Sequence, residues 1–432
     1  MPYRKVKENH KNSLYLLSAL TMIYMTMIVA LQPLFLHQVF RLSVDNAGFI
    51  NATIHVATEV ADLLFVGYLG YLSDRHGRIP VIVYGFLFAG VMALFCPFSM
   101  SIGAFFGVSG LAFYYLFRIG MSMGSTAVWP QIAALAGDFS SRATRPKLVA
   151  NAGFMMAFGA TLSYAVLMQI PKEVGVTWVV YLVALIAFVG AWIASRFLVE
   201  VAPRQHEKIL PFRAVKRLVL RERKLKLTFL AALTSRNDMV VIGLFLMIWF
   251  IYFAELLGIG HADAAARAGM MIGYLGLVVL VSIPFWGLLI DRLGRVTALA
   301  IGLGLSGAGL IGFGLVVNPF EWWVLIPATI VGLGQGGCLL APQTLTIDMA
   351  PENSRGTVLG AFNTVGCIGV IIFLQTGGVL FDAMGPPAPF ILTGIANLSI
   401  MGYALYVLAV EGEGASDEAT EDGGALADEA PY

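Results

Sequence analysis

The feature that most constrains this chain is a series of apolar runs, each long enough to cross a lipid bilayer. The 432 residues are 58% hydrophobic and only 12% charged, about half the charged share of a soluble globular chain. A helix that spans the roughly 30 Å hydrocarbon core needs roughly 20 mainly apolar residues, because each residue advances the helix by about 1.5 Å. The sequence therefore predicts an all-α integral membrane protein.

Twelve of these runs are predicted to be transmembrane helices, the fourth and seventh being the least sharply bounded. They cover residues 14–36, 47–72, 79–100, 104–136, 148–170, 176–199, 227–254, 268–290, 296–317, 322–347, 357–381 and 388–410. Lys and Arg are concentrated in the N-terminal segment, the 200–226 connection and the loops after helices 2, 4, 8 and 10. The opposite loops contain only Arg41, Lys172 and Arg267. By the positive-inside rule, both termini are predicted to be cytoplasmic.

An internal repeat divides the chain in two. Gly70-Tyr-Leu-Ser-Asp74-Arg75-His-Gly77-Arg78 after helix 2 recurs with the same spacing as Gly287-Leu-Leu-Ile-Asp291-Arg292-Leu-Gly294-Arg295 after helix 8. Trp129-Pro130-Gln131 in helix 4 likewise returns as Ala341-Pro342-Gln343 in helix 10. Such self-similarity predicts two related six-helix bundles, 14–199 and 227–410. Around them lie an N-terminal segment over 1–13, a basic linker over 200–226 and an acidic tail over 411–432.

The repeated loop resembles the hallmark of the major facilitator superfamily, Gly-x-x-x-Asp-Arg-x-Gly-Arg between helices 2 and 3. The resemblance implies a secondary transporter, without enzymatic activity or a cofactor, whose halves open alternately around a small solute near the membrane midplane. It also implies that the two loops latch the cytoplasmic face in one state. The latch residues would be Asp74, Arg75 and Arg78 with Gly70 and Gly77, and Asp291, Arg292 and Arg295 with Gly287 and Gly294.

The overall run of the sequence, with its acidic end, resembles the MamH-type facilitators of bacterial magnetosome membranes. That resemblance implies a location in the bacterial inner membrane or in a membrane derived from it, such as the magnetosome membrane. It also implies iron as the solute. The Gly-Pro pair that drug exporters of the superfamily place in helix 5 is absent from 148–170, which argues against a multidrug antiporter.

Helix 2 contains a column of polar residues at membrane depth. Asn51, His55, Glu59 and Asp62 share one helical face, since they are spaced by four, four and three residues. Imidazole and carboxylate groups supply ligands for a divalent metal or steps in a proton relay. One prediction is a metal site at His55, Glu59 and Asp62, and the alternative is a hydrogen-bonded network that only joins helix 2 to its neighbours.

The repeat provides an internal comparison for this column. Its four positions align with Ala268, Ile272, Gly276 and Val279 in helix 8, and Arg118 in helix 4 aligns with Ile330. The architecture therefore accepts uncharged residues at these depths. Arg118 is predicted either to form a structural ion pair with Glu59 or Asp62 or to take part in binding a solute or coupling ion.

Arg236 and Asp238 form a second charged group, predicted to lie about a third of the way into helix 7. Residues two apart on a helix do not face each other, so each needs another partner. They are predicted to bind solute or coupling ion, or else to extend toward the interface with water.

Three functions remain open at this stage. A proton-coupled metal-cation transporter is favoured by the helix 2 column, an anion transporter would use Arg118 and Arg236, and a facilitator-derived sensor or scaffold would move nothing. The basic amphipathic linker is predicted to lie on the anionic leaflet of the bilayer. The acidic tail is predicted to be disordered, as a solubilising end or as a contact for a protein partner. No nucleic-acid partner is expected.

Overall fold

The protein, in a computed structural model, is all-helical over the residues that the structure describes, which are 6–140, 145–201, 212–235, 237–350 and 355–413. Twelve long helices follow one another along the chain. They are α1 Glu8–Phe40, α2 Ala47–His76, α3 Arg78–Phe106, α4 Gly110–Asp138, α5 Lys147–Val174, α6 Val176–Phe197, α7 Arg223–Leu257, α8 His261–Leu293, α9 Arg295–Leu315, α10 Trp322–Met349, α11 Arg355–Met384 and α12 Ala388–Glu411. A short linker helix, Phe212–Arg221, lies between α6 and α7.

Eleven of these helices are long and apolar enough to cross a membrane, counted over the described residues. The remaining one, α4, has 29 residues, so at about 1.5 Å per residue it is also long enough to span. Arg118 and several Ser and Gly residues lower its apolar character. The predicted all-α membrane architecture is confirmed. Because a helix satisfies its own backbone groups, it is the form that a chain can adopt across a bilayer.

The two halves have the same internal packing. In the first half α3 packs against α4 and α6, and in the second half α9 packs against α10 and α12. Pro130 lies inside α4 and Pro342 inside α10, at matching places in the repeat, where each removes one backbone hydrogen bond of its helix. The predicted pair of six-helix halves is therefore present as a structural repeat.

The ends of the helices define two sides of the molecule. We call the side with the 70–78 loop, the 287–295 loop and the linker helix the basic side, and the opposite side the far side. α1 begins on the basic side and α12 ends there. The exact domain boundaries at 13, 199, 226 and 410 stay a prediction, and residues 414–432 of the tail lie outside the described residues.

On the far side, α2 of the first half is in backbone contact with α11 of the second. A Cβ atom placed on Gly48 would lie 2.7 Å from the carbonyl oxygen of Gly378. The carboxylate of Asp382 accepts hydrogen bonds of 2.8 Å from the backbone N–H groups of Gly48 and Phe49. Only residues without a side chain allow this approach, which is how small residues pack helices within membranes.

The second contact between the halves, α5 against α8, is built in the same way. A Cβ atom on Gly269 would lie 2.6 Å from the carbonyl oxygen of Tyr164, and one on Gly273 would lie 2.9 Å from the Cβ of Ala165. These residues belong to the far-side parts of α5 and α8. Both seams between the halves are thus closed on the far side.

Toward the basic side the same helix faces are open. Gly70, Gly287 and Gly360 lie close to whole numbers of turns from the far-side contacts of α2, α8 and α11, and a Cβ atom on any of them would meet no atom within 4 Å. On α5, Phe154 shares the face of Thr161 and Ala165, yet it is 55% exposed. The halves therefore diverge toward the basic side, and the protein is closed on the far side and open on the basic side.

This asymmetry gives a matched pair of substitutions on α8, five turns apart. Gly269→Val should force the far-side seam open and so reduce the population of the basic-side-open state. At Gly287 the added side chain would contact no other atom in this conformation, so Gly287→Val should not disturb it. The measurement is labelling of Phe154→Cys by a membrane-impermeant maleimide, with Cys367→Ala removing the partly exposed native thiol. Labelling should slow by about threefold or more with Gly269→Val, a population shift of modest energy, and should not slow with Gly287→Val. Equal rates in the two variants would contradict the assigned state.

Candidate functional site

A chain of buried polar groups crosses the interior of the first half. The side-chain amide of Gln32 on α1 donates to the backbone oxygen of Asn51 at 3.0 Å and to its Oδ1 at 3.2 Å. The Oε1 of Gln32 accepts a 3.2 Å hydrogen bond from Nε of Arg118 on α4. All three side chains are at most 3% exposed. Gln32 therefore ties the predicted column on α2 to the predicted arginine on α4.

Gln32 was not among the residues that the sequence singled out as a candidate for this site. Its signal was a single amide, followed by Pro33, inside the otherwise apolar run 14–36. A polar side chain in hydrocarbon needs a partner, so the residue itself indicated an interior polar network. Its two partners could not be named, because they lie on other helices.

Asp62 lies farther along the same face of α2 and contacts α4 as well. Its Oδ2 accepts a 2.6 Å hydrogen bond from the hydroxyl of Ser122, while its buried Oδ1 has no partner among the described groups. Arg118 lies one turn before Ser122, but the predicted ion pair between Arg118 and Asp62 is not formed. The guanidinium has its described hydrogen bond with neutral Gln32 instead.

His55 is 5% exposed, and neither of its ring nitrogens has a hydrogen-bond partner in the described part of the chain. Glu59 and Asp62 are half-buried. In this conformation His55, Glu59 and Asp62 do not bring their ligand atoms together. The three atoms do not all lie within 4.8 Å of one another. The column therefore offers ligands on one face without forming a closed metal site in this state.

A small cavity of about 20 Å³ adjoins Arg118 between α1, α3, α4 and α6, with room for about one water molecule. Its walls are mainly apolar, with Gln32, Tyr114 and Arg118 contributing polar groups. In the second half, the aligned positions Ala268, Ile272 and Val279 are buried packing residues. At these aligned positions the first half has polar or charged residues and the second half has small or apolar ones.

Arg236 and the side chain of Asp238 lie outside the described residues, so their roles stay predictions. The helix just after them has a local change of geometry, a π-helical turn over Ile242–Leu246. Such turns are frequent at functional sites. Gly243 within it faces α5, since a Cβ atom there would lie 2.9 Å from the hydroxyl of Tyr164.

The two repeated loops form equivalent ion pairs. Arg78 at the start of α3 pairs with Asp138 at the end of α4, with Nε and Oδ2 2.5 Å apart. Arg295 at the start of α9 pairs with Asp348 near the end of α10 at 2.8 Å. An acidic residue at a helix C-terminus opposes the helix dipole, so each arginine offsets a local charge conflict. Both pairs lie within one half, and neither joins the two halves in this state.

The remaining loop residues are less engaged. Arg75 donates a 3.3 Å hydrogen bond to the hydroxyl of Tyr71 and is exposed. Asp291 and Arg292 are exposed, and the side chain of Asp74 lies outside the described residues. The predicted latch between halves therefore remains a prediction for the other conformation.

Two glutamates that sequence reasoning missed complete the loops. Glu200, just after α6, accepts a 3.1 Å hydrogen bond from the backbone N–H of Ile79. Glu413, just after α12, accepts bonds of 3.2 and 2.5 Å from the N–H groups of Val296 and Thr297. Each carboxylate caps the N-terminus of the third helix of its half, where the helix dipole favours negative charge.

These caps explain the second glycine of each loop. Gly77 has a φ of 101° and Gly294 a φ of 89°, a region that residues with a side chain rarely adopt. A Cβ atom on Gly77 would also lie 2.8 Å from the carboxylate of Glu200, and one on Gly294 would collide with that of Glu413. The positive φ thus requires the glycine, and its lack of a side chain leaves room for the capping carboxylate.

Comparison with known proteins agrees with this architecture. The sequence profile of the Major Facilitator Superfamily matches residues 14–374 and again 265–428. The chain belongs to the Major Facilitator Superfamily. Among solved structures of similar fold are a D-xylose–proton symporter (TM-score 0.72, 14% identity, 92% of this chain and 96% of that one) and the nucleoside transporter NupG (TM-score 0.71, 10% identity, 93% and 98%). At such identities the likeness concerns the facilitator fold alone.

More similar relatives of this facilitator are magnetosome proteins. Magnetosome protein MamH of Paramagnetospirillum magneticum is 52% identical over 421 residues, which are 97% of each chain. Magnetosome protein MamZ of Magnetospirillum gryphiswaldense is 38% identical over 92% of this chain and 62% of that longer protein. The multidrug resistance protein MdtG of Escherichia coli is 32% identical, but over only 33% of this chain. The predicted resemblance to magnetosome facilitators is confirmed.

The loop geometry yields a prediction with a built-in control. Arg78→Ala should lower the free energy of unfolding by about 1–2 kcal/mol, because a charge-assisted bond between partly buried groups is lost and the positive charge beside Asp138 at a helix end is removed. Arg75→Ala, three residues away and exposed, should leave it within about 0.5 kcal/mol. Thermal unfolding of the purified protein in detergent measures both. A larger loss for Arg75→Ala than for Arg78→Ala would contradict the pairing.

Proposed function

We propose that this facilitator carries a divalent metal cation across the membrane in exchange for protons, by alternating access with the basic side facing the cytoplasm. Both termini are then cytoplasmic. The observation that carries the proposal is Asp62, a half-buried carboxylate at membrane depth with one oxygen held by Ser122 and the other without a described partner.

A charged side chain is energetically costly in hydrocarbon. An ionisable side chain near the bilayer centre costs roughly 2.5–3.5 kcal/mol even by lenient estimates, and such residues typically mark ion or substrate pathways. The aligned α8 positions are uncharged, so packing does not require Asp62 or Glu59. His55 on the same face, whose ring makes no hydrogen bond among the described residues, adds a nitrogen donor. Nitrogen and oxygen donors together suit first-row transition metals.

Arg118 gives this site a means of coupling. It lies one turn from Ser122 on the same face of α4, so its positive charge opposes a cation at Asp62 unless the carboxylates are ionised. Metal binding to such ligands releases protons. Exchange of the cation for protons therefore follows from the charges that line the site, once Asp62 leaves Ser122 and turns toward its neighbours on α2.

The relatives favour iron among divalent metals and the magnetosome or inner membrane as the location. This inference comes from the likeness to magnetosome proteins MamH and MamZ. The ligand chemistry alone would suit manganese, cobalt or zinc as well. The metal is therefore best identified by flux measurements.

The test replaces two carboxylates of the proposed site by amides of nearly the same shape, which removes their charge. Glu59→Gln with Asp62→Asn should lower proton-coupled Fe²⁺ flux into proteoliposomes by about tenfold or more, the scale expected on loss of groups that hold a metal. Glu173→Gln, which neutralises an exposed carboxylate near the far-side end of α5, is the control and should transport normally. Wild-type flux in the double variant would refute the cation site. Absence of flux in the wild-type protein would instead favour a sensor or scaffold.

One observation favours a second candidate, an anion transporter. Arg118 is 3% exposed and its described hydrogen bond is to a neutral amide, beside a water-sized cavity. A buried guanidinium without a formed ion pair is a potential anion site. If this function holds, Arg118→Gln should abolish flux of the anion, while Glu59→Gln with Asp62→Asn leaves it intact. The reverse sensitivity supports the cation function.

A further inference from the structure

Three metal-ligating side chains meet on the far side, away from the helix 2 column. They are His37 on the last turn of α1, Glu255 on the last turn of α7 and His261, the first residue of α8. One ligand atom from each of the three residues lies within 4.8 Å of the other two. A search of the described residues for groups of three or more His, Cys, Asp or Glu that are this close finds this group. Sequence reasoning missed it, because His37 is far from the other two in the chain.

The distances fit a metal better than a hydrogen-bonded network. The Nε2 atoms of His37 and His261 each lie 3.4 Å from Oε1 of Glu255. Two ligands bound at about 2.1 Å in a tetrahedral arrangement are themselves about 3.4 Å apart. Within the described part of the chain, neither the buried Nε2 of His261 nor the Nδ1 of His37 makes a hydrogen bond. The two imidazole rings are only 4.0 Å apart between centroids.

The ring of His37 is held in place by its neighbour. Tyr252 packs edge-on against it with centroids 5.1 Å apart, and its hydroxyl donates a 3.1 Å hydrogen bond to the backbone oxygen of Leu42. Glu255 is 42% and His261 32% exposed, while His37 is 13% exposed. An ion can thus enter from the far-side solvent and meet a ligand set whose deepest member is already oriented.

The ligand set selects a class of ion. Two imidazoles with one carboxylate suit Fe²⁺, Co²⁺, Ni²⁺, Cu²⁺ and Zn²⁺, whereas Mg²⁺ and Ca²⁺ prefer sites made of oxygen alone. Three protein ligands also leave at least one coordination position for water.

The three ligands come from both halves of the protein. His37 belongs to the first half and Glu255 and His261 to the second, at the end where the halves are in contact. We propose that these residues form a transition-metal site that is complete only when the far side is closed, so that a metal bound there clamps the basic-side-open state. The site shares no residue with the proposed transport site, and it would stand whatever solute the central cavity carries.

The affinity of the metal for the closed far side sets how far metal binding shifts the ratio of the two conformational states. A ligand that binds one state and not the other multiplies the ratio of the two states by 1 + [L]/Kd, so a hundredfold excess over Kd gives about a hundredfold change. Metal on the far side would therefore hold the transporter with its cavity facing the basic side. The clamp couples far-side metal concentration to the direction in which the cavity opens.

Binding is tested by Co²⁺ titration of the purified full-length protein, followed by the visible absorption of the bound ion. The titration uses a protein that also has Glu59→Gln and Asp62→Asn, so that the carboxylates of the proposed transport site do not contribute to the Co²⁺ binding that is measured. We expect one equivalent of Co²⁺, displaced by Zn²⁺ and not by Mg²⁺. His37→Gln or His261→Gln should weaken binding by about tenfold or more, although glutamine can keep a hydrogen bond to Glu255.

The control is His10→Gln, which changes a histidine on the basic side that accepts a hydrogen bond from the backbone of Lys7. It should bind Co²⁺ as the parent does. Absence of saturable Co²⁺ binding in the parent, or equal affinity in the His37→Gln and His261→Gln variants, would overturn the site and leave a hydrogen-bonded contact between halves.

The clamp is tested with the Phe154→Cys, Cys367→Ala reporter in proteoliposomes. Zn²⁺ on the far side should raise maleimide labelling from the basic side when His37 and His261 are present, and should have no effect when both are Gln. Metal binding without any change in labelling would overturn the clamp. Because labelling measures conformation and not flux, a failure of the proposed transport function leaves both tests readable.

Discussion

The absence of water in the hydrocarbon core is the constraint on which the rest of the structure depends. It forces the backbone into helices that satisfy their own hydrogen bonds, and it makes every interior polar side chain seek a partner. In the first half that demand produces the chain from Asn51 through Gln32 to Arg118. In the second half the aligned positions are apolar, so the same fold is stable without such a chain. The fold therefore does not require the polar groups found at these depths in the first half.

Contact between the halves depends on the smallest residues. Lipid tails are as apolar as the helices, so there is no hydrophobic driving force for two helices to associate, and close van der Waals packing must provide the attraction. Gly48 with Gly378, and Gly269 with the backbone at Tyr164, provide that packing on the far side. Gly70, Gly287 and Gly360 offer similar bare surfaces that meet nothing. Glycine faces at both ends of the seams would allow either end to close, as the proposed alternating access requires.

The two halves contribute different kinds of residue to the interior. The first contributes Asp62, His55 and Arg118, while the second presents glycine and small residues of α8 to α5. At the far-side end, residues of both halves meet where His37 approaches Glu255 and His261. A group shared across a moving interface is sensitive to the position of both partners, because ligand distances change as soon as the halves separate. Such a place is suited to bias the equilibrium between states.

The sequence by itself determined the helices, their number, the repeat and the superfamily, because apolar length and residue spacing are properties of one segment at a time. It also identified the column on α2 and Arg118, since a charge in an apolar run is visible without a structure. Tertiary structure decided the partners: Arg118 bonds Gln32 and not Asp62, and Glu200 and Glu413 cap helices of their own halves. It also brought His37, Glu255 and His261 together from three helices. Helical periodicity reports which residues share a face, but it carries no information on which other helix that face meets. Those pairings, and the end at which the halves open, exist only once the twelve helices are packed.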